Sequence, residues 1–242
     1  MLEAAFTDKT RFVVLNNPIN PAGVVLPRED LELLAEVCVA HDVVAICDEV
    51  WEQVVFDGAR HIPLMSLPNM RERTVKIGSA GKMFGLTGWK VGFLCAAPEQ
   101  THALARAHQF LTFTTPPSLQ AAVAFGLDNP GDWFTAMPQG LQRSRDRLSE
   151  GLTREGFKVL ASQGTYFLTV DLAASGVSEP DRAFALRAVQ EAGVAAIPVS
   201  ALYEQDPVTS ILRLCFSKGD ATLDSGVERL AKARELSRKA VG

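Results

Sequence analysis

Lys82 stands in the stretch "IGSAGKMFGLTGWKVGF" (77–93), in a glycine-rich turn that follows an apolar run. An amine in that setting admits three chemistries. A nucleotide P-loop needs G-x-x-x-x-G-K followed by Ser or Thr. Here Gly78 is only three residues before Gly81 and Met83 follows the lysine, so the backbone cradle and the magnesium-binding hydroxyl are both missing. A solvated loop lysine is the ordinary state of a lone lysine. The third chemistry is a Schiff-base lysine for pyridoxal phosphate. It requires polar groups for a phosphate, a carboxylate for the pyridine nitrogen and a guanidinium for the substrate.

The chain offers each of these. Ser79 lies three residues before Lys82 and Lys90 eight after it; a hydroxyl and a cation at those distances suit a phosphate. Asp48 closes the apolar run "VVAIC" (43–47), at the strand end where α/β sheets bind ligands, although a lone aspartate there is as readily a helix cap. Asn20 follows the first strand-like run and reaches the same edge; an Asx-turn is its plainer reading. Arg213 interrupts "SILRLCFSK", and a guanidinium among Ile211, Leu212, Leu214 and Cys215 is costly to bury without an anion. It faces outward equally well. The set carries the argument, and no single member does.

These residues need a scaffold. "RFVVL" (11–15), "VVAIC", "TVKIGS" (74–79) and "VGFLCAA" (91–97) read as buried strands. Between the first two, "REDLELLAEVCVAHD" (28–42) places Leu31, Leu34, Val37 and Cys38 on one helical face behind Pro27. Continuous apolar strands with a helical crossover predict a mostly parallel α/β sheet covered on both faces. From Pro98 to about Gly156 the pattern is helical, broken near Pro116 and Pro130, and its long charged last helix is expected to link two domains. Shorter strands and helices beyond it predict a small α+β domain. The expected boundaries are 1–135 and 136–242.

The 242 residues are 47% apolar and carry a formal charge of −4, so polyanions and anionic membranes are poor partners, and no apolar run is long enough to span a bilayer. The first residues lack the pattern of a secretory signal. Cys47, Cys95 and Cys215 lie in apolar runs and Cys38 on the helix, with no C-x-x-C pair and no histidine at ligand spacing. Buried reduced thiols of a cytoplasmic protein are expected, and no metal.

The motifs "NNPINPAG", "CDEVWE", "GSAGKMFGLTGWKVGF" and "LRLCFSK", in this order, resemble the fold type I pyridoxal-phosphate aminotransferases of class I/II. The stretch from Phe56 to Gly92, with "GTYFL" and "VAAIPVSALY", is similar to the branch of kynurenine, methionine and succinyldiaminopimelate aminotransferases, which also contains cysteine-conjugate β-lyases. The resemblance implies amino-group transfer between an amino acid and a 2-oxo acid, in a homodimer. It makes Lys82 the lysine that binds the cofactor and shuttles the proton. Asp48 pairs with the pyridine nitrogen, Asn20 bonds the ring oxygen, Ser79 and Lys90 hold the phosphate, and Arg213 grips the substrate carboxylate. Trp51 stands where the family usually has a tyrosine, and its indole N–H donates but cannot accept.

The resemblance starts in the middle of the family's large domain. The strand and glycine turn that offer a helix N-terminus to the phosphate, and the aromatic residue that stacks on the ring, have no counterpart. A partial large domain, with weak cofactor binding and poor transamination by these residues alone, is therefore expected. β-Elimination from a sulfur amino acid, an inactive fragment, and the sensor half of a transcription regulator are the alternatives. No basic or helix-turn-helix segment supports the last.

Overall fold

A computed structural model describes residues 2–241, which fall into two compact units. The first comprises residues up to Ile19 and from Val25 to Ala136; the second comprises Asn20–Val24 and everything from Met137 onward.

In the first unit, strands β1 (Phe12–Asn16), β2 (Val44–Asp48), β3 (Thr74–Ser79) and β4 (Gly92–Cys95) form a sheet in that order. β1, β2 and β3 run parallel; β4 returns antiparallel to β3. The register pairs Asn16 with Asp48 and Asp48 with Ile77, so β1 and β2 end together and β3 runs two residues further. Helix α1 (Arg28–Ala40) starts after Pro27 with Glu29 and Asp30 in its first turn, where acidic side chains favour the helix dipole. It buries Leu31, Leu34, Val37 and Cys38 against Ala45, Cys47, Leu64 and Met70. The pleat directs Val13, Leu15, Ala45 and Cys47 to that core.

The opposite face departs from the expectation of a sheet covered on both sides. Phe12 and Val14 are 63% and 72% exposed there, on edge strand β1. Helices α3 (Pro98–Leu111) and α4 (Pro117–Asp128), each with Pro at its start, have no buried residue. A short helix, α2 (Ala80–Met83), connects β3 to the turn before β4, and α5 (Trp133–Arg154) begins in this unit and continues into the next.

The second unit is an antiparallel sheet of β5 (Lys158–Val159), β6 (Phe167–Asp171), β7 (Ile197–Pro198) and β8 (Ile211–Cys215), in the order β5-β6-β8-β7. With α5, α6 (Asp181–Arg187) and α7 (Asp220–Val241) it buries Leu152, Leu168, Phe184, Leu212, Phe216 and Leu230. Buried Asp181 accepts both the N–H and the hydroxyl of Ser200, at 2.8 and 2.7 Å, so each of its carboxylate oxygens is bonded.

The expectation for the cysteines is corrected at two positions. Cys38 and Cys47 are buried, but Cys95 is exposed and Cys215 half-buried. Cys215 lies on the face of β8 opposite buried Leu212 and Leu214, whereas on β4 Cys95 is exposed beside exposed Leu94, a distinction that apolar composition does not encode. Among the described residues, no helix is long and apolar enough to cross a membrane.

Candidate active site

In the first unit the chemistry gathers where β2 and β3 end. Asp48 is the last residue of β2 and is half-buried; its Oδ1 accepts the Val50 N–H at 3.4 Å. Ser79 is the last residue of β3. It precedes α2 without capping it, so its hydroxyl is not committed to the helix end. Lys82 lies within α2, half-buried, with Nζ 5.2 Å from the ring centroid of buried Trp51. The indole therefore presents its π-face to the amine, an attractive cation–π arrangement. The sequence alone suggested an N–H donor at this position and not an aromatic face.

The turn around Lys82 is held tightly. Thr87 donates its hydroxyl to the Gly81 carbonyl at 3.3 Å, and a Cβ on Gly81 would stand 3.0 Å from Thr87 Cα. Trp133 donates its indole N–H to the Met83 carbonyl at 2.9 Å, fixing the far end of α2. Gly78 makes room for Phe93, its register partner on β4; a Cβ there would lie 2.3 Å from the Phe93 ring. Ser79 pairs with Gly92, two residues beyond Lys90. Lys90 is exposed and left-handed at φ 57°. Beneath the strands, burial first and the Glu49 charge second push the Cys47 thiol up to about 12.

The second unit holds the other two predicted residues. Leu212 and Leu214 point into its core, so Arg213 occupies the opposite face of β8, half-buried. Its guanidinium lies 4.2 Å from the Phe167 ring centroid, and Nη1 donates to Asn20 Oδ1 at 3.0 Å. Stacking and a neutral acceptor thus hold the arginine, and among the described residues no carboxylate is bonded to it. Asn20 is exposed and belongs to the strip 20–24, which is fixed at Gly23: its carbonyl accepts the N–H groups of Gln163 and Gly164 at 2.7 and 2.9 Å.

Lys82 and Trp51 meet, Asp48 and Ser79 end adjacent strands, and Arg213 meets Asn20. Sequence reasoning missed the stacking partner Phe167, which lies inside the quoted "GTYFL". It also missed four titratable groups buried behind Asp48: Glu49, Glu52, His61 and Lys76. Two acids at the exit of a buried strand were the available signal.

The family model "Aminotransferase class I and II" matches residues 1–230. Human kynurenine–oxoglutarate transaminase 1 is 41% identical over 96% of this chain. The structure of N-succinyldiaminopimelate aminotransferase from Mycobacterium tuberculosis superposes with a TM-score of 0.92 at 42% identity over 96% of this chain, and that of an Escherichia coli protein with methionine aminotransferase function with 0.90 at 35% over 96%. In each case the chain spans 60% of the relative's own length.

Proposed function

We propose, because the chain belongs to the class I and II aminotransferase family, that it moves an amino group between an amino acid and a 2-oxo acid with pyridoxal phosphate as cofactor. The observation that carries this reading is the grouping of one amine, one carboxylate and one uncommitted hydroxyl at the joint end of β2 and β3. That donor set fits the cofactor: Lys82 for its aldehyde, Asp48 for its ring nitrogen, Ser79 and Lys90 for its phosphate. When bound, pyridoxal phosphate supplies an electron sink for the electrons of a carbanion beside the amino group.

The chain's own residues do the rest. Lys82 Nζ would take the proton from the Cα of the amino acid and would give one to the Cα of the 2-oxo acid that accepts the amino group; positioned acid–base groups of this kind contribute roughly 10²–10⁴-fold in rate. The Asp48 carboxylate keeps the proton on the ring nitrogen, because a negative neighbour favours the protonated cation. Trp51 stays within the cofactor-binding set and covers the Lys82 amine with its π-face. Arg213 binds the substrate carboxylate through parallel N–H donors and so fixes which Cα bond reacts. Asn20 has two roles in this reading. Oδ1 holds Arg213 in place, and the Nδ2 amide is the donor for the ring oxygen.

Two further parts of the reading concern setting. Exposed Phe110, Leu111, Phe113 and Phe125 on and beside α3 and α4 support self-association into a homodimer. The four unpaired cysteines accord with a reducing cytoplasm. The test is chemical. Borohydride reduction with pyridoxal phosphate is expected to leave a stable adduct on the peptide containing Lys82, and Lys82→Ala is expected to abolish it. Labelling spread evenly over the surface lysines refutes the reading.

A further inference from the structure

Behind the proposed cofactor groups lies a second charged cluster that the reaction leaves unused. The Glu49, His61, Glu52 and Lys76 side chains are only 1%, 5%, 11% and 13% exposed. Glu49 Oε1 accepts the Leu64 N–H at 3.0 Å. Glu49 Oε2 lies 3.3 Å from His61 Nε2 and 3.7 Å from Lys76 Nζ. Lys76 Nζ also donates to Glu52 Oε2. Burying three charged groups and an imidazole costs several kcal/mol per ion before pairing, and an apolar packing of equal volume is often as stable. Stability alone therefore gives no reason for this cluster.

The ligand atoms of Glu49, Glu52 and His61 lie within 4.8 Å of one another, a spacing that would suit a metal ion. The Lys76 ammonium already holds that place between the two carboxylates, so the chain supplies its own cation. Neither ring nitrogen of His61 has a hydrogen bond of normal geometry, nor has Glu49 Oε2. Hydrogen bonding is thus incomplete, and the ion pairs hold the cluster.

The position of each member is informative. Glu49 directly follows Asp48, Glu52 directly follows Trp51, and Lys76 precedes Ser79 by three residues and Lys82 by six. Strand pairing continues one residue past β2, with the Glu49 N–H donating to the Ile77 carbonyl at 3.0 Å. The pleat then puts Asp48, Ile77 and Ser79 on one face and Cys47, Lys76 and Glu49 on the other, because Asp48 pairs with Ile77 and Cys47 with Lys76. The cluster lies on the far side of the same two strand ends that carry the proposed site.

We propose that the Glu49–Lys76–Glu52–His61 cluster is a positioning device that locks the ends of β2 and β3 in register, so that Asp48, Trp51, Ser79 and Lys82 meet the cofactor in one geometry. It rests on the reading of Lys82 and Asp48 given above. Supporting groups held by charge resist sliding, since a shift that separates a buried pair leaves uncompensated charge, and sites of this kind need placement within about 0.5 Å.

The experiment compares the unsubstituted chain with Glu49→Gln, which keeps the volume and the acceptor for Leu64 but removes the charge. Pyridoxal phosphate is titrated into each. Visible circular dichroism of the bound cofactor, the borohydride adduct on Lys82 and the thermal midpoint are then read. The expected result is cofactor affinity weakened about tenfold or more and altered visible dichroism, at a thermal midpoint near that of the unsubstituted chain. If Glu49→Gln does not fold, Glu52→Gln carries the same test, because it leaves one carboxylate to one ammonium. Unchanged affinity and dichroism overturn the proposal. So does a loss of affinity that merely tracks a lowered thermal midpoint, which would mark the cluster as structural. Absence of the Lys82 adduct in the unsubstituted chain overturns the functional reading itself, and this inference with it.

Discussion

Gly23→Ala is the sharpest test of how Asn20 is held. Gly23 has φ +69°, and a Cβ there would stand 2.3 Å from Ser162 Oγ, 2.9 Å from Ser162 Cβ and 3.1 Å from the Gly164 carbonyl. Alanine in the left-handed region costs about 1–2 kcal/mol. Ser162 is buried and donates to the Phe167 and Gly164 carbonyls at 2.9 and 3.2 Å, so it has little freedom to move aside. Overpacking at such a site costs about 1–3 kcal/mol, and a lost hydrogen bond adds about 1 kcal/mol. The expected destabilisation of the second unit is about 3–6 kcal/mol, which lowers its thermal midpoint by at least about 10 °C. The assay is thermal unfolding followed by circular dichroism, with Gly23→Ala/Ser162→Gly as a second variant. Removing the Ser162 side chain relieves its overlap but restores neither the backbone strain nor the Ser162 hydrogen bonds, so the pair is expected to recover about 1–3 kcal/mol of the loss. A Gly23→Ala chain as stable as the original refutes the reasoning. A double variant no better than the single one also refutes it, because the overlap would then play no part.

Arg213→Lys is expected to raise KM for amino acids about tenfold or more, because an ammonium neither forms the parallel pair nor stacks on Phe167; equal activity toward amines lacking a carboxylate counts against the assignment. Iodoacetamide at pH 8 is expected to label exposed Cys95 before buried Cys38 and Cys47, as read by peptide mass spectrometry. The folded Cys47 thiol stays protonated up to about 12 against an ordinary 9.0, so stability is full below about pH 9. It falls by up to about 1.4 kcal/mol per pH unit as pH rises between those values, and Cys47→Ser should flatten that slope in alkaline denaturation curves.

Much of this molecule is legible in the sequence because it is local. Lys82, Ser79 and Lys90 sit within one short glycine-rich stretch whose glycines announce it, and Asp48 ends an apolar run. The helix 28–40 shows its buried face as a repeat of Leu31, Leu34, Val37 and Cys38. What stayed hidden depends on which way a side chain points and on what lies far along the chain. Glu49, Glu52 and Lys76 are charged residues in ordinary numbers, and only the fold reveals that they face inward on one another. Arg213 was open between two faces of β8 until the register with β6 was known. Cys95 sits in a run as apolar as that of Cys47, yet one is exposed and the other buried.

The assignment of the strip 20–24 to the second unit has a consequence for how the chain folds as it is made. Gly23 leaves the ribosome about 140 residues before Gln163 and Gly164, whose N–H groups it must accept. Asn20 waits 193 residues for Arg213. The strip therefore stays unassembled until the chain through Gly164 and Arg213 has been made. Closing so long a loop raises the contact order of the second unit and slows its folding. A rearranged chain in which residues 20–24 are moved to stand directly before Met137 would shorten that wait, at the cost of cutting the chain beside β1.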